Sequence, residues 1–178
     1  MELPREFVER TARDLGPAEG AALCAALAGE APVSIRLNPA KCGDAERLLQ
    51  ALGATHAVPW CREGRYLAAR PSFTFDPAFH AGAYYVQEAS SQFVGLLAGD
   101  LAGRRILDLC AAPGGKTTLY AALAGPEGLV VANEPDRRRA AVLADNVRKW
   151  GTGNSAGTPC EPRARGDFEA WCDAVAVD

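Results

Sequence analysis

The chain has 178 residues, enough for one large domain or two small ones, and its 48% apolar content is that of a globular protein able to bury a core. A formal net charge of -3 excludes a protein whose main business is coating nucleic acid through bulk charge, and leaves room for a local basic face. The six cysteines form no C-x-x-C pair and do not cluster with the two histidines, so free thiols, a reducing cytoplasmic setting and no metal site are expected.

In chain order, the start "MELPREFVERTARDLG" is amphipathic and carries acids, and no long apolar run follows it, which indicates neither a signal peptide nor a membrane span. Residues 4 to 28 read as two short helices punctuated by "LGPAEG", with Phe7, Val8, Thr11 and Leu15 at helical spacing. "PVSIRLN" predicts a strand, "GDAERLLQALG" an amphipathic helix closed by Gly53, and "HAVPWCREGRYLAA" two extended pieces around a turn at Arg62 to Arg65. A loop-rich passage with Pro71, Pro77 and Gly82 then leads to a helix expected from about Glu88 to Leu97.

After Ala102 the texture changes to alternating strand and helix. "RRILDLC", "GLVVANE" and "CDAVAVD" read as strands, and "KTTLYAALAG" and "DRRRAAVLADNVRKWG" as helices, a pattern that implies a parallel sheet with right-handed crossovers. A further strand belongs before "CDAVAVD", yet glycine, proline and charge dominate "GTGNSAGTPCEPRARGDFEAW" and give it no strand pattern.

The stretch "LDLCAAPGGKTT", Leu107 to Thr118, holds the most chemical information. A Walker A loop would need a glycine at position 110, where the chain has Cys110, and the adjacent Gly114 and Gly115 do not make a Gly-x-Gly-x-x-Gly. What remains is a glycine-rich turn between a buried strand and a helix, suited to a small charged ligand. In a doubly wound sheet ligands settle beyond the carboxyl ends of the strands, which puts Asp108 to Lys116, Glu134 and Asp178 on one rim.

Glu134 lies twenty positions after Gly114, the spacing at which an acid accepts hydrogen bonds from a ribose diol; it also suits a solvated turn acid at a helix start. Lys116 opposes the helix dipole, which fits binding of a carboxylate or simple reach into solvent. Asp108, an acid within a buried run, serves either the turn's N–H groups or a ligand. Arg137 to Arg139 read as a solvated basic face, Tyr84, Tyr85 and Trp60 as core aromatics or base-stacking groups, and His80 as a hydrogen-bonded structural histidine. Cys160 has neither a preceding buried strand nor an activating histidine, so it is not read as a nucleophile.

Together, "LDLCAAPGGKTT", "NEPDRRRAAVLADNVRKWG" and "DAVAVD", preceded by "PVSIRLNP", "VPWC" and "FHAGAYYVQEASS", closely resemble the Sun-type (NOL/NOP/Sun) RNA cytosine-5 methyltransferases, in the bacterial RsmF-like branch that acts on 16S ribosomal RNA. The resemblance covers essentially the whole chain. It implies an α/β fold: a Rossmann-like S-adenosylmethionine-dependent methyltransferase sheet, incomplete here, over residues 101–178, preceded by a small α/β RNA-holding domain over residues 1–100. It further implies that Cys110, Ala111, Ala112, Pro113, Gly114, Gly115 and Lys116 cradle the methionine portion of S-adenosylmethionine. Glu134 would bind the ribose hydroxyls, and Asp178 would be the acid ending the fourth strand. Glu161, with Asp167 as the alternative, would match a further acid in the loop before that strand.

Carbon 5 of cytosine is a poor nucleophile, so such an enzyme adds a cysteine thiolate to carbon 6 before methyl transfer. In the resembled family that thiolate lies in a Thr-Cys segment on a later strand, with an assisting Pro-Cys directly after the fourth-strand acid. Neither Cys160 nor Cys172 matches these positions, so no catalytic residue and no turnover are expected within the chain. The expected consequence of the missing strands is an uncovered sheet edge and reduced stability. Two other readings are an ATP- or GTP-binding protein using Gly-Gly-Lys-Thr, and an RNA- or protein-binding module without catalysis.

Overall fold

The structure, a computed structural model, describes residues 2–160 and 170–177, which form two compact units, one up to Pro32 and the other from Val33 onward. In the first, helix α1 (Arg5–Leu15) and helix α2 (Pro17–Ala28) are separated by Gly16 at φ 85. The helices approach closely at Gly20, where a Cβ would stand 2.8 Å from the Ala12 Cα. Phe7, Val8, Leu15, Leu23 and Leu27 are exposed.

The second unit contains two sheets. The antiparallel one has the order β2-β3-β1-β4, built from β1 (Val33–Leu37), β2 (Ala54–Val58), β3 (Cys61–Leu67) and β4 (Tyr84–Val86). Ile35 pairs with Arg65 on one side and Val86 on the other. Helix α3 (Ala45–Ala51) starts where the Asp44 carboxylate accepts from the Arg47 amide, and packs Leu48 and Leu49 against Ile35, Leu37, Leu67, Phe73 and Tyr84. Helix α4 (Pro77–Ala81) is likewise capped by Asp76 and ends at Gly82 in the left-handed region, φ 76.

Two expectations need correction here. The hairpin turns at Pro59 and Trp60, not at Arg62 to Arg65, which lie inside β3. Gly64 is a point of close approach: a Cβ there would stand 2.3 Å from Gln92 Oε1 and 2.7 Å from Val58 Cβ. The helix expected from Glu88 to Leu97 is two short pieces, α5 (Ala89–Gln92) and α6 (Val94–Leu97). The Trp60 indole N–H donates to the Ala89 carbonyl at 2.6 Å, the acceptor a continuous helix would offer to Phe93. The Phe93 amide bonds Ser90 instead, and its ring meets Trp60 edge-on at 5.6 Å.

The second sheet is parallel throughout, in the order β7-β6-β5-β8. It comprises β5 (Arg105–Asp108), β6 (Leu129–Asn133), β7 (Ser155–Thr158) and β8 (Ala174–Ala176), with α7 (Gly115–Ala124) joining β5 to β6 and α8 (Arg137–Trp150) joining β6 to β7. The strand β7 forms where the sequence offers no apolar alternation. The Val130 amide bonds the Asn154 carbonyl, and Asn154 Nδ2 holds the Ala121 and Gly125 carbonyls, which draws the segment onto the edge of β6. Ile106, Tyr120, Ala121 and Val130 make one core cluster, and Ala111, Ala112, Ala132 and Leu143 another. The chain runs outward from β5 through β6 to β7, and β8 then lies on the opposite side of β5. Strand order therefore reverses between β5 and β8, the position at which open α/β sheets bind ligands.

Candidate functional site

The turn from Leu109 to Gly114 leaves β5 at this reversal and enters α7. Most of its carbonyl groups are bound by side chains. Asn133 Nδ2 donates to the Leu109 carbonyl at 3.3 Å and Arg139 Nη2 to the Ala112 carbonyl at 3.1 Å. The Pro113 carbonyl accepts from Asn146 Nδ2 at 2.8 Å and from the Tyr85 hydroxyl at 3.4 Å. Thr118 Oγ1 reaches the Gly114 carbonyl at 2.8 Å, and Arg36 Nη2 the Gly115 carbonyl at 3.3 Å.

The opposite polarity stays open. Among the described residues nothing accepts from the Gly114 and Gly115 amides, which begin α7 and point its positive end away from the pinned carbonyls. Such a terminus suits a carboxylate. Gly114 sits at φ 112, and a Cβ there would stand 3.3 Å from Leu143 Cδ1, so both backbone conformation and space call for glycine.

Glu134, at the end of β6, is 2% exposed. Its Oε1 accepts from the Asp136 amide at 3.1 Å and its Oε2 lies 3.4 Å from Arg139 Nη1. Asp108 is buried and accepts from the Thr117 hydroxyl at 2.7 Å, a side-chain partner in the first turn of α7. Lys116 is half-buried and borders two clefts. One, of about 210 Å³, lies between the turn and Tyr85, Gln87, Glu88 and Ser91. The other, of about 470 Å³, runs along Val94, Leu97, Tyr120 and the exposed Val175 and Val177.

Of the residues singled out in the sequence, Cys110, Ala111, Ala112, Pro113, Gly114, Gly115 and Lys116 form the turn itself, with Cys110 half-buried and its thiol free. Glu161, its alternative Asp167, and Asp178 lie outside the described residues. His80 is structural: its Nε2 donates to the Thr74 carbonyl at 2.7 Å. Tyr84 is core, donating to Asp76, whereas Tyr85 lines the smaller cleft. Arg137, Arg138 and Arg139 are exposed, as a solvated face requires, and the Arg139 guanidinium also reaches Glu134 and the Ala112 carbonyl. Cys160 is exposed beyond β7, with its amide donating to Asn133 Oδ1 at 3.1 Å.

Three residues at the site were not singled out from sequence: Asn133, Asn146 and Arg36. Arg36 is 1% exposed and lies with its guanidinium 4.4 Å from the centre of the Trp150 ring. Burial lowers its pKa to about 10, with the neighbouring Cys61, Tyr85 and Glu63 opposing the shift, so it remains a cation at neutral pH. A basic residue inside the predicted strand "PVSIRLN" was the available signal.

The Gly114 and Gly115 amides can donate to a carboxylate, and the Glu134 carboxylate can accept from hydroxyl groups. Among the described residues no cluster of His, Cys, Asp and Glu could hold a metal ion, and no helix is long and apolar enough to cross a membrane.

Residues 3–89 match the family described as the N-terminal domain of 16S rRNA methyltransferase RsmF, and residues 98–165 the family described as 16S rRNA methyltransferase RsmB/F. The chain is 38% identical over 154 residues to ribosomal RNA small subunit methyltransferase F of Shewanella oneidensis, covering 82% of this chain and 32% of that protein. It is 36% identical over 165 residues to the Vibrio cholerae protein of the same name, covering 88% and 35%. The chain thus spans about a third of the length of these curated relatives. Among solved structures, a methyltransferase homologue from Pyrococcus horikoshii superposes with TM-score 0.77 at 25% identity, over 97% of this chain and 62% of that one. The fold also matches NSun6 from Pyrococcus horikoshii, solved with SFG, at TM-score 0.80 and 17% identity, over 98% of this chain and 70% of that one.

Proposed function

Since the chain belongs to the RsmB/F family of 16S rRNA methyltransferases, we propose that it binds S-adenosylmethionine and serves methylation of carbon 5 of a cytosine in ribosomal RNA. The observation that carries this reading is the turn at the strand reversal, with the Ala112 and Pro113 carbonyls tied down, no acceptor for the Gly114 and Gly115 amides among the described residues, and the buried Glu134 at the end of the adjacent strand.

In this reading Cys110 to Lys116 hold the methionine portion and Glu134 accepts from the ribose hydroxyls. The cofactor supplies an electrophilic methyl group on sulfur. The chain's own part is to bind and orient that group: pinned carbonyls set the peptide planes of the turn, and Arg139 holds the Glu134 carboxylate beside it. In the same reading residues 1–100 hold RNA and residues 101–178 the cofactor. None of the chain's cysteines is assigned the role of nucleophile.

Isothermal calorimetry with S-adenosylhomocysteine tests the reading. Binding that is weakened in Glu134→Ala, with no magnesium-dependent ATP binding, is the expected result. Tight magnesium-ATP binding without S-adenosylhomocysteine binding would overturn it.

A further inference from the structure

We propose that Arg36 is a positioning residue for the glycine turn, reaching from β1 of the antiparallel sheet to hold Gly114 and Gly115, through the Thr118 hydroxyl, in the conformation that receives the methyl donor. The inference rests on the turn being a methyl-donor loop. It makes the antiparallel sheet part of the cofactor site, beyond its role toward RNA.

The contacts have a direction. Arg36 Nε donates to Gln87 Oε1 at 2.9 Å, and its Nη2 to Thr118 Oγ1 at 2.7 Å and the Gly115 carbonyl at 3.3 Å. A threonine hydroxyl has one proton. Because Thr118 Oγ1 accepts from Arg36, its own proton goes to the turn, with the Gly114 carbonyl at 2.8 Å and the Gly115 carbonyl at 3.1 Å. Charge at Arg36 polarises that hydroxyl and strengthens the bond it donates.

The turn needs such a hold. Two adjacent glycines have the widest backbone freedom of any pair, and ordering them costs correspondingly more entropy. Their peptide planes are set by what grips the carbonyls. Arg36 also fixes Gln87, whose Nε2 would stand 3.4 Å from a Cβ at Gly115 and which lines the smaller cleft beside the turn. A lysine at position 36 could not reproduce this: an ammonium is a point donor, whereas the planar guanidinium spans three acceptors while lying on the Trp150 ring.

The test uses the chain itself with Arg36→Lys, Thr118→Val and Thr118→Ser. Calorimetry reads S-adenosylhomocysteine affinity, and NMR hydrogen exchange without ligand reads the Thr118 amide, which donates to the Gly114 carbonyl, against Val131 in β6. Arg36→Lys and Thr118→Val are expected to weaken ligand binding about tenfold or more and to lower Thr118 protection by a similar factor, with Val131 unchanged. Thr118→Ser, which keeps the hydroxyl, should remain within about twofold of the parent on both readouts. Unchanged binding or unchanged Thr118 protection in Arg36→Lys and Thr118→Val overturns the proposal, as does an equal loss in Thr118→Ser. If the parent chain binds no S-adenosylhomocysteine, the donor-loop reading fails, and the exchange readout alone decides whether Arg36 holds the turn.

Discussion

One guanidinium serves two parts of the site: Arg139 sets Nη1 3.4 Å from the buried Glu134 carboxylate and donates from Nη2 to the Ala112 carbonyl at 3.1 Å. The acid at the end of β6 and the turn at the end of β5 are thereby held by the same side chain, although they belong to different strands. Removing either partner perturbs both.

Glu134→Gln keeps the shape and removes the charge. It should weaken S-adenosylhomocysteine binding about ten- to a hundredfold in calorimetry, the worth of charge-assisted hydrogen bonds. Because Arg139 is more than half exposed, Arg139→Ala should lower stability by only about 1 kcal/mol in a urea titration, while still weakening the ligand.

Gly82→Ala should be among the most damaging single substitutions in the chain. Gly82 has φ 76, and an added Cβ would stand 2.0 Å from the Lys149 carbonyl oxygen, a backbone atom that cannot step aside. Asn38 closes the same seam, donating from Nδ2 to the Gly82 carbonyl at 2.9 Å and the Trp150 carbonyl at 2.8 Å. A loss of about 3 kcal/mol or more, or no soluble folded protein, is expected in thermal and urea unfolding.

Alkaline pH should destabilise the fold through Tyr84. Burial, reinforced by the hydrogen bond to Asp76 and that carboxylate's charge, raises its pKa well above the ordinary tyrosine value. The unfolded chain therefore loses this proton first, so the contribution is complete below about pH 10 and is lost as pH rises toward the folded value. Urea titrations across this range should show the parent losing stability relative to Tyr84→Phe, which lacks the titrating group.

Cys160→Ser should leave S-adenosylhomocysteine affinity within about twofold of the parent. The thiol is exposed, and the segment is tied to Asn133 through the Cys160 amide, which the substitution retains.

Much of the parallel sheet was legible because its signals are local. "RRILDLC" and "GLVVANE" are apolar runs long enough for one buried strand each, and Gly125 and Gly151 close the helices after them at φ 67 and 73. Legibility failed where a distant residue decided the outcome. Gly64 reads as a turn until Gln92 and Val58 are seen to crowd it, and the break at Phe93 depends on a tryptophan more than thirty positions earlier. The strand β7 is made by the edge of β6, and "SAGT" has no periodicity of its own to announce it.

The site divides in the same way. The sequence by itself determined which residues make the turn, that Gly114 and Gly115 open a helix, and that Glu134 follows the next strand, because strand, turn and helix are consecutive and their chemistry lies in residue type. Only the tertiary structure decided what holds that turn still. Arg36 acts on Gly115 and Thr118 from 79 and 82 positions away, and Asn133, Arg139, Asn146 and Tyr85 each take a carbonyl from another element. A backbone carbonyl accepts from any donor that packing brings within about 3 Å, so the identity of that donor is a property of the folded chain and not of its neighbours in sequence.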